Sequence, residues 1–146
     1  MHDLPRQLNA DELAGLFEGH TAVVERLAGL EDPLGQARKV LADAPEEEQI
    51  EALAAHPRIG RRVGLSERSA REQGSDEDPA LLAALVRLNK SYEDKFGFRF
   101  VVFVDGRPRA EILSVMRQRL QHSREAELAN GLDELVAIAL DRWRNR

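Results

Sequence analysis

Cysteine is absent from the 146 residues, which excludes a disulfide framework, thiol chemistry and thiolate metal sites. Long apolar runs are absent too, and the longest is far too short to span a bilayer. The opening stretch MHDLPRQLN lacks the charged and apolar regions of a signal peptide, and the closing WRNR is not a peroxisomal address, so a cytoplasmic protein is expected. Aromatic residues make up only 5%, which leaves little to stack on bases, and a net charge of −5 argues against nucleic-acid binding. No GxSxG elbow is present for a serine hydrolase. His2, His20 and His122 lack any ligand spacing to His56, so no metal site is expected. Internal repeats, coiled-coil heptads and low-complexity segments are also missing.

What is present is a chain with 42% apolar and 32% charged residues, the balance of a globular protein, and a length that suits one domain over residues 1–146. It reads as helix after helix. Asn9 and Glu12 have capping-box spacing, and Leu13, Leu16 and Phe17 follow as an apolar stripe. Val24, Leu27 and Leu30 continue at helical spacing. Asp32-Pro33 starts another helix, with Asp as cap and Pro in the first turn. Ala44-Pro45 starts the next, and Glu46, Glu47 and Glu48 fall where negative charge favours the helix dipole, so this acidic run reads as a helix start and not as a metal site. His56-Pro57 ends that helix. Residues 57–65 read as a loop, Ser66 as the cap of a short helix, and Asp78-Pro79 as the start of a long one that Gly97 terminates. FRFVVFV, from Phe98 to Val104, is the one strand-like run; without a sheet partner it reads as a buried extended connector, with at most a brief strand. Asp105-Gly106 turns the chain, and helices over Ala110–Leu120 and from Ser123 to about Arg144 complete an all-α, multi-helix bundle. The last helix carries Leu128, Leu132, Leu135, Val136, Ala139 and Trp143 on one face.

The residues with chemical potential gather around HPRIG (His56–Gly60) and SAREQ (Ser69–Gln73). His56 and Glu72 lie sixteen positions apart, on either side of an Arg-rich loop, and can form an acid–base pair in a cleft. His56 sits at a helix C-terminus, where the dipole favours an imidazolium; the bland alternative is that it only caps carbonyls. Glu72 is equally readable as an exposed helix glutamate. Ser69 and Glu72 share a helix face, and Gln73 offers amide donors and acceptors. Arg58, Arg61, Arg62, Arg68 and Arg71 make either a solvated face or a mouth that attracts a small anion. Phe96-Gly97-Phe98 reads as a helix end with core aromatics, whose irregular backbone needs hydrogen-bond partners that a carbonyl-rich ligand could supply. Arg142 is either one more arginine of a basic tail with Arg144 and Arg146 or a carboxylate-binding fork in a cleft, and Arg119 is a weaker candidate of the same kind.

Taken together, HPRIG, SAREQ, LNKSYEDKFGFRFVVF and a closing helix ending in IALDRW resemble the family of 2-oxo-4-hydroxy-4-carboxy-5-ureidoimidazoline (OHCU) decarboxylases of urate breakdown, over nearly the whole chain. The resemblance implies an all-α fold, usually dimeric, that needs neither metal nor organic cofactor. It implies stereospecific decarboxylation of a small anionic substrate, OHCU, to S-allantoin, with a hydroxyisourate hydrolase as the pathway neighbour. It assigns His56 and Glu72 to catalysis, and Pro57, Ser69, Gln73, Phe98 (through its backbone) and Arg142 to substrate binding. The chain departs from the family pattern at Arg58, where many relatives carry aspartate, at Arg68, where a tryptophan is frequent, and at His122, where an asparagine is common. Arg58 keeps open a decarboxylase or hydrolase acting on another ureide or hydantoin. A non-catalytic helical interaction module would explain the amphipathic helices without special roles for His56 and Glu72.

Overall fold

The computed structural model describes residues 4–59 and 78–146. Among these residues there are seven α-helices and no strand: α1 (Ala10–Phe17), α2 (Ala22–Ala28), α3 (Pro33–Asp43), α4 (Glu46–Ala54), α5 (Pro79–Phe96), α6 (Arg109–Arg119) and α7 (Arg124–Arg144). The all-α expectation holds.

Local hydrogen bonding explains where the helices begin. The Asn9 side chain accepts from the Glu12 N–H at 2.8 Å, while Glu12 accepts from the Asn9 N–H at 3.1 Å, which closes the capping box. Asp32 and Asp78 cap α3 and α5 with Pro33 and Pro79 in the first turn, and Ser123 caps α7. Thr21 does the same for α2. The acidic start of α4 has no side-chain cap; Glu48 instead pairs with Arg26 and Glu46 with Arg124. Gly97 ends α5 at φ 82°, the left-handed geometry that only glycine adopts without strain.

α7 is the hub. It packs on α1, α3 and α4, while α2 bridges α1, α3 and α4, and α5 pairs with α6. All seven helices contribute to one cluster of buried apolar side chains, with Leu13, Leu27, Leu41, Leu53, Leu85, Ile112 and Leu135 fully enclosed. Each such side chain contributes about 1.5–3 kcal/mol by leaving water. At the end of α7 the buried residue is Arg142, while Trp143 there and Leu128 near the start of the helix pack on the core only half-buried.

Phe98–Val104 is the buried connector the sequence suggested. Phe98, Phe100, Val101, Val102 and Val104 are all enclosed. An extended backbone in a core must find partners for its polar groups. Here side chains supply what a neighbouring strand would. Arg119 donates to the Val101 carbonyl at 2.8 Å, and Arg107 to those of Phe103 (2.6 Å) and Val104 (3.0 Å). Glu134 accepts from the Phe103 N–H; burial nevertheless holds its carboxyl above the usual range. Asp105 and Gly106 then turn the chain, both at positive φ.

Candidate active site

His56 follows the end of α4. Its N–H reaches the Leu53 carbonyl at 3.3 Å, the last bond of the helix before Pro57 breaks the pattern. The ring is buried, with the residue 5% exposed. Its Nε2 has no hydrogen-bond partner among the described residues. A buried polar atom without a partner is costly, and native structures keep few of them, often where a ligand or a reaction needs the atom.

Arg142 comes from the far end of the chain to the same place. It is 4% exposed, and one guanidinium nitrogen donates to Glu18 Oε2 at 2.7 Å and to the Gly15 carbonyl at 3.2 Å. The basic-tail reading is therefore overturned for this residue, while Arg144 and Arg146 do lie exposed. α7 turns Arg142 inward because it shares the face of Leu135 and Ala139, at helical spacing. Glu18 makes the burial tolerable by pairing the charge. It caps α1 in the left-handed conformation at φ 67°. Sequence reading missed it: Gly19, next in the chain, is the residue that would be expected to take that geometry.

Electrostatics at His56 run opposite to the helix-dipole expectation. Burial pushes its pKa down to about 4, the nearby Arg142 guanidinium adds to the effect, Glu18 partly opposes it, and Arg99 lowers it further. Desolvation and two neighbouring cations outweigh the α4 dipole, so the imidazole is neutral near pH 7. A neutral histidine can accept a proton through the unpartnered nitrogen.

The segment that carries His56 is held at both ends. Arg99 donates from one nitrogen to the Ala54 and His56 carbonyls, each at 2.8 Å. Asn89, buried in α5, donates to the Ile59 carbonyl at 2.8 Å. Pro57 between them is half-buried, and Arg58 is exposed and forks onto Glu93 of α5 at 2.6 and 3.0 Å. That neutralising carboxylate weakens the anion-attracting reading for Arg58. The Phe98 ring belongs to the core: it stacks on Phe96 and meets Tyr92 edge-on. Ser69, Glu72 and Gln73, like Arg61, Arg62, Arg68 and Arg71, lie outside the described residues.

Arg119, the other arginine candidate, stands in a different cluster. Its Nε donates to Glu127 at 2.7 Å and its guanidinium covers the Phe100 ring at 4.5 Å. Glu127 is fully buried and also accepts from Tyr92 Oη at 2.6 Å and Asn130 at 2.9 Å, with His122 Nδ1 at 2.8 Å. This network braces the connector and is separate from His56. Among the described residues no group of three or more His, Asp or Glu is placed to hold a metal ion, and no helix is long and apolar enough to cross a membrane.

Fold and site together define an all-α protein with a desolvated imidazole set beside an ion-paired arginine. The chain belongs to the OHCU decarboxylase family, whose model matches residues 2–144. It is 30% identical to the 2-oxo-4-hydroxy-4-carboxy-5-ureidoimidazoline decarboxylase of Haloferax volcanii, over 95% of this chain and 94% of that protein. It is also 30% identical to the uric acid degradation bifunctional protein PucL of Bacillus subtilis, over 95% of this chain but only 30% of that longer protein. Among solved structures, it superposes on the crystal structure of OHCU decarboxylase in the presence of (S)-allantoin with a TM-score of 0.75, at 22% identity, covering 90% of this chain and 94% of the other. At that identity the superposition speaks for the fold.

Proposed function

We propose that this protein decarboxylates OHCU to S-allantoin in urate degradation, with His56 as an acid–base group and Arg142 as the substrate's cationic partner. One observation carries the reading: a buried imidazole, neutral near pH 7 and with an Nε2 that no described residue partners, lies close enough to Arg142 for the guanidinium to disfavour its protonation. Family membership supplies the reaction class.

The chemistry suits such a site. The departing carboxylate of OHCU sits on the ring carbon that also bears the hydroxyl, between a ring nitrogen and the ureido-bearing carbon, which belongs to a ring C=N bond. When the bond to the carboxylate breaks and carbon dioxide leaves, its electron pair forms a C=C bond to the ureido-bearing carbon while the C=N pair moves onto the ring nitrogen, in conjugation with the 2-oxo group. The resulting enol gives up its hydroxyl proton, as an enolate, to become a carbonyl, and the ureido-bearing carbon takes a proton on one face. The substrate carries its own electron sink, so this reading needs no cofactor. The protein must orient the scissile bond, stabilise the enolate and deliver the proton to one face. In this reading His56 takes the substrate hydroxyl proton or polarises that oxygen. Arg142, held by Glu18, binds ureido or ring carbonyl oxygens. Glu72 fixes His56, while Pro57, Ser69, Gln73 and the Phe98 backbone orient the ring; these roles rest on the family resemblance. The arrangement around His56 favours Arg142 over Arg119 as the binding arginine, because Arg142 is near enough to act on the His56 ring whereas Arg119 stands in the separate Glu127 cluster. The same reading makes the protein a cytoplasmic homodimer supplied by a hydroxyisourate hydrolase.

The test is circular dichroism of OHCU generated in place from urate, with and without the protein. OHCU decays on its own to racemic allantoin, so optical activity is the informative signal. Rapid appearance of S-allantoin, lost in His56→Ala, is expected. A folded protein that leaves the slow racemic drift unchanged would move the assignment to another ureide or hydantoin, or to a binding module.

A further inference from the structure

We propose that Arg99 is a positioning residue for His56, locking the end of α4 through two backbone carbonyls and tying it to the connector that begins at Phe98. This rests on His56 being the reacting imidazole of the proposed function.

The last carbonyls of a helix have no partner within the helix. At the end of α4 those of Ala54 and His56 converge on one nitrogen of Arg99, at 2.8 Å each. The donor belongs to neither α4 nor its loop: it comes from a segment 43 residues further along the chain. Successive residues of an extended backbone point to opposite sides. Phe98 accordingly places its ring against Tyr92 and Phe96, and Arg99 turns to the α4 end. Arg119 and Arg107 anchor the same connector further on, at Val101, Phe103 and Val104. Asn89 holds Ile59 on the other side of the His56 loop. A movement of Arg99 therefore shifts the imidazole relative to the Phe98 backbone, the two groups that must meet one substrate.

The guanidinium has an electrostatic part as well. Among the described residues, the charged groups acting on the imidazole are Arg142 of α7, Glu18 of α1 and Arg99 of the connector. Arg142 and Glu18 neutralise one another across 2.7 Å. Arg99 adds a further positive charge, and together with burial it disfavours protonation of the ring. Removing it should raise the midpoint at which His56 takes a proton.

Three full-length variants separate the two parts: Arg99→Met removes donor and charge, Arg99→Lys keeps the charge but replaces the planar guanidinium that sets the donor between the two carbonyls, and Arg99→Gln keeps a donor without the charge. The first readout is independent of activity, a nuclear magnetic resonance titration of the His56 ring, assigned by its absence in His56→Asn. The second is the pH profile of kcat and KM for OHCU. In Arg99→Met the titration midpoint is expected to rise, with the acid limb of kcat moving up alongside it. kcat at neutral pH should fall about tenfold or more with KM changing less, as expected when a group is displaced from its transition-state position. Arg99→Lys should keep the midpoint and lose kcat; Arg99→Gln should move the midpoint and retain more of kcat. An unmoved midpoint together with an unchanged kcat in folded Arg99→Met, or in Arg99→Lys and Arg99→Gln if Arg99→Met does not fold, overturns the inference. A wild-type protein that is inactive on OHCU, but whose His56 midpoint and ring line position respond to these substitutions, overturns the proposed substrate and leaves the positioning role standing.

Discussion

Arg119 and Glu127 form an ion pair at 2.7 Å whose side chains are 8% and 0% exposed. Two charges this deep survive only because each is also hydrogen-bonded: Glu127 by Tyr92 and Asn130, Arg119 by the Val101 carbonyl. Removing one partner strands the other. Glu127→Ala is expected to lower stability by about 3 kcal/mol or more. Tyr92→Phe deletes one donor of several to the carboxylate and should cost about 1.5 kcal/mol. Urea denaturation of both variants checks the ratio; equal losses would mean that the carboxylate is not the centre of the network.

The same carboxylate predicts behaviour in acid. Burial pushes the Glu127 pKa up, but hydrogen bonds from Tyr92, Asn130 and His122, with the Arg119 charge, more than offset it and leave the folded value below the ordinary one. A carboxyl depressed in the folded state adds stability above its unfolded pKa and loses it as pH falls through the lower folded value. Stability of the wild-type protein should therefore decline below about pH 4.5. In Glu127→Gln, which starts less stable, that part of the slope should be missing.

His56 governs a different window. Its folded pKa of about 4 lies below the ordinary 6.5. The unfolded chain thus binds the proton more readily between these values, and stability falls as pH drops from 6.5 toward 4. The shift corresponds to about 3 kcal/mol across that interval. Comparison of the wild type with His56→Gln by urea denaturation at pH 7 and pH 5 should show the smaller drop in the variant. A wild-type protein equally stable at both pH values would contradict a buried neutral ring.

Glu18 carries both a charge and a strained backbone. Glu18→Ala leaves Arg142 buried beside the Gly15 carbonyl without its carboxylate, and about 3 kcal/mol of stability should go with it. Glu18→Gly loses the same ion pair but suits φ 67°, so it should be about 1 kcal/mol more stable than the alanine variant. Both remove the group that opposes the lowering of the His56 pKa, so the acid limb of activity should move to lower pH. An acid limb displaced upward would show that Glu18 does not act on His56.

Gly131 permits α7 to approach α4. A Cβ there would stand 3.0 Å from Leu53 Cδ2, and Leu53 is fully buried. Alanine would improve helix propensity by about 1 kcal/mol, yet the enclosed leucine has no room to yield. Gly131→Ala is expected to destabilise by about 1 kcal/mol net, measured by thermal unfolding, and Gly131→Ala with Leu53→Val to recover part of that loss.

Much of the scaffold was legible because helix ends are local. Asn9 with Glu12, Asp32-Pro33, Asp78-Pro79, Gly97 and Ser123 act on backbone groups within a few residues, and all behave as read. The connector was legible from its composition, although not the arginines that hold it. The site was only partly legible. His56 stood out beside its proline, but its charge state depends on burial and on Arg142, Glu18 and Arg99, none of them a sequence neighbour. Arg142 looked like a tail residue because the carboxylate that lets it lie inside belongs to α1. Glu127 is one of two acids in the first turn of α7, and what sets it apart, burial against Tyr92 and Arg119, comes from distant parts of the chain.

Glu18 and Arg142 are 124 positions apart in sequence. During synthesis the glutamate emerges first and waits for nearly the whole of the remaining chain before its partner arrives. Until then the imidazole of His56 lacks the Arg142 side of its surroundings, and no amino-terminal fragment that stops short of α7 contains both members of the ion pair. Activity in a cell extract would thus serve as an assay of completed folding, and interrupted or clipped chains would be silent in it.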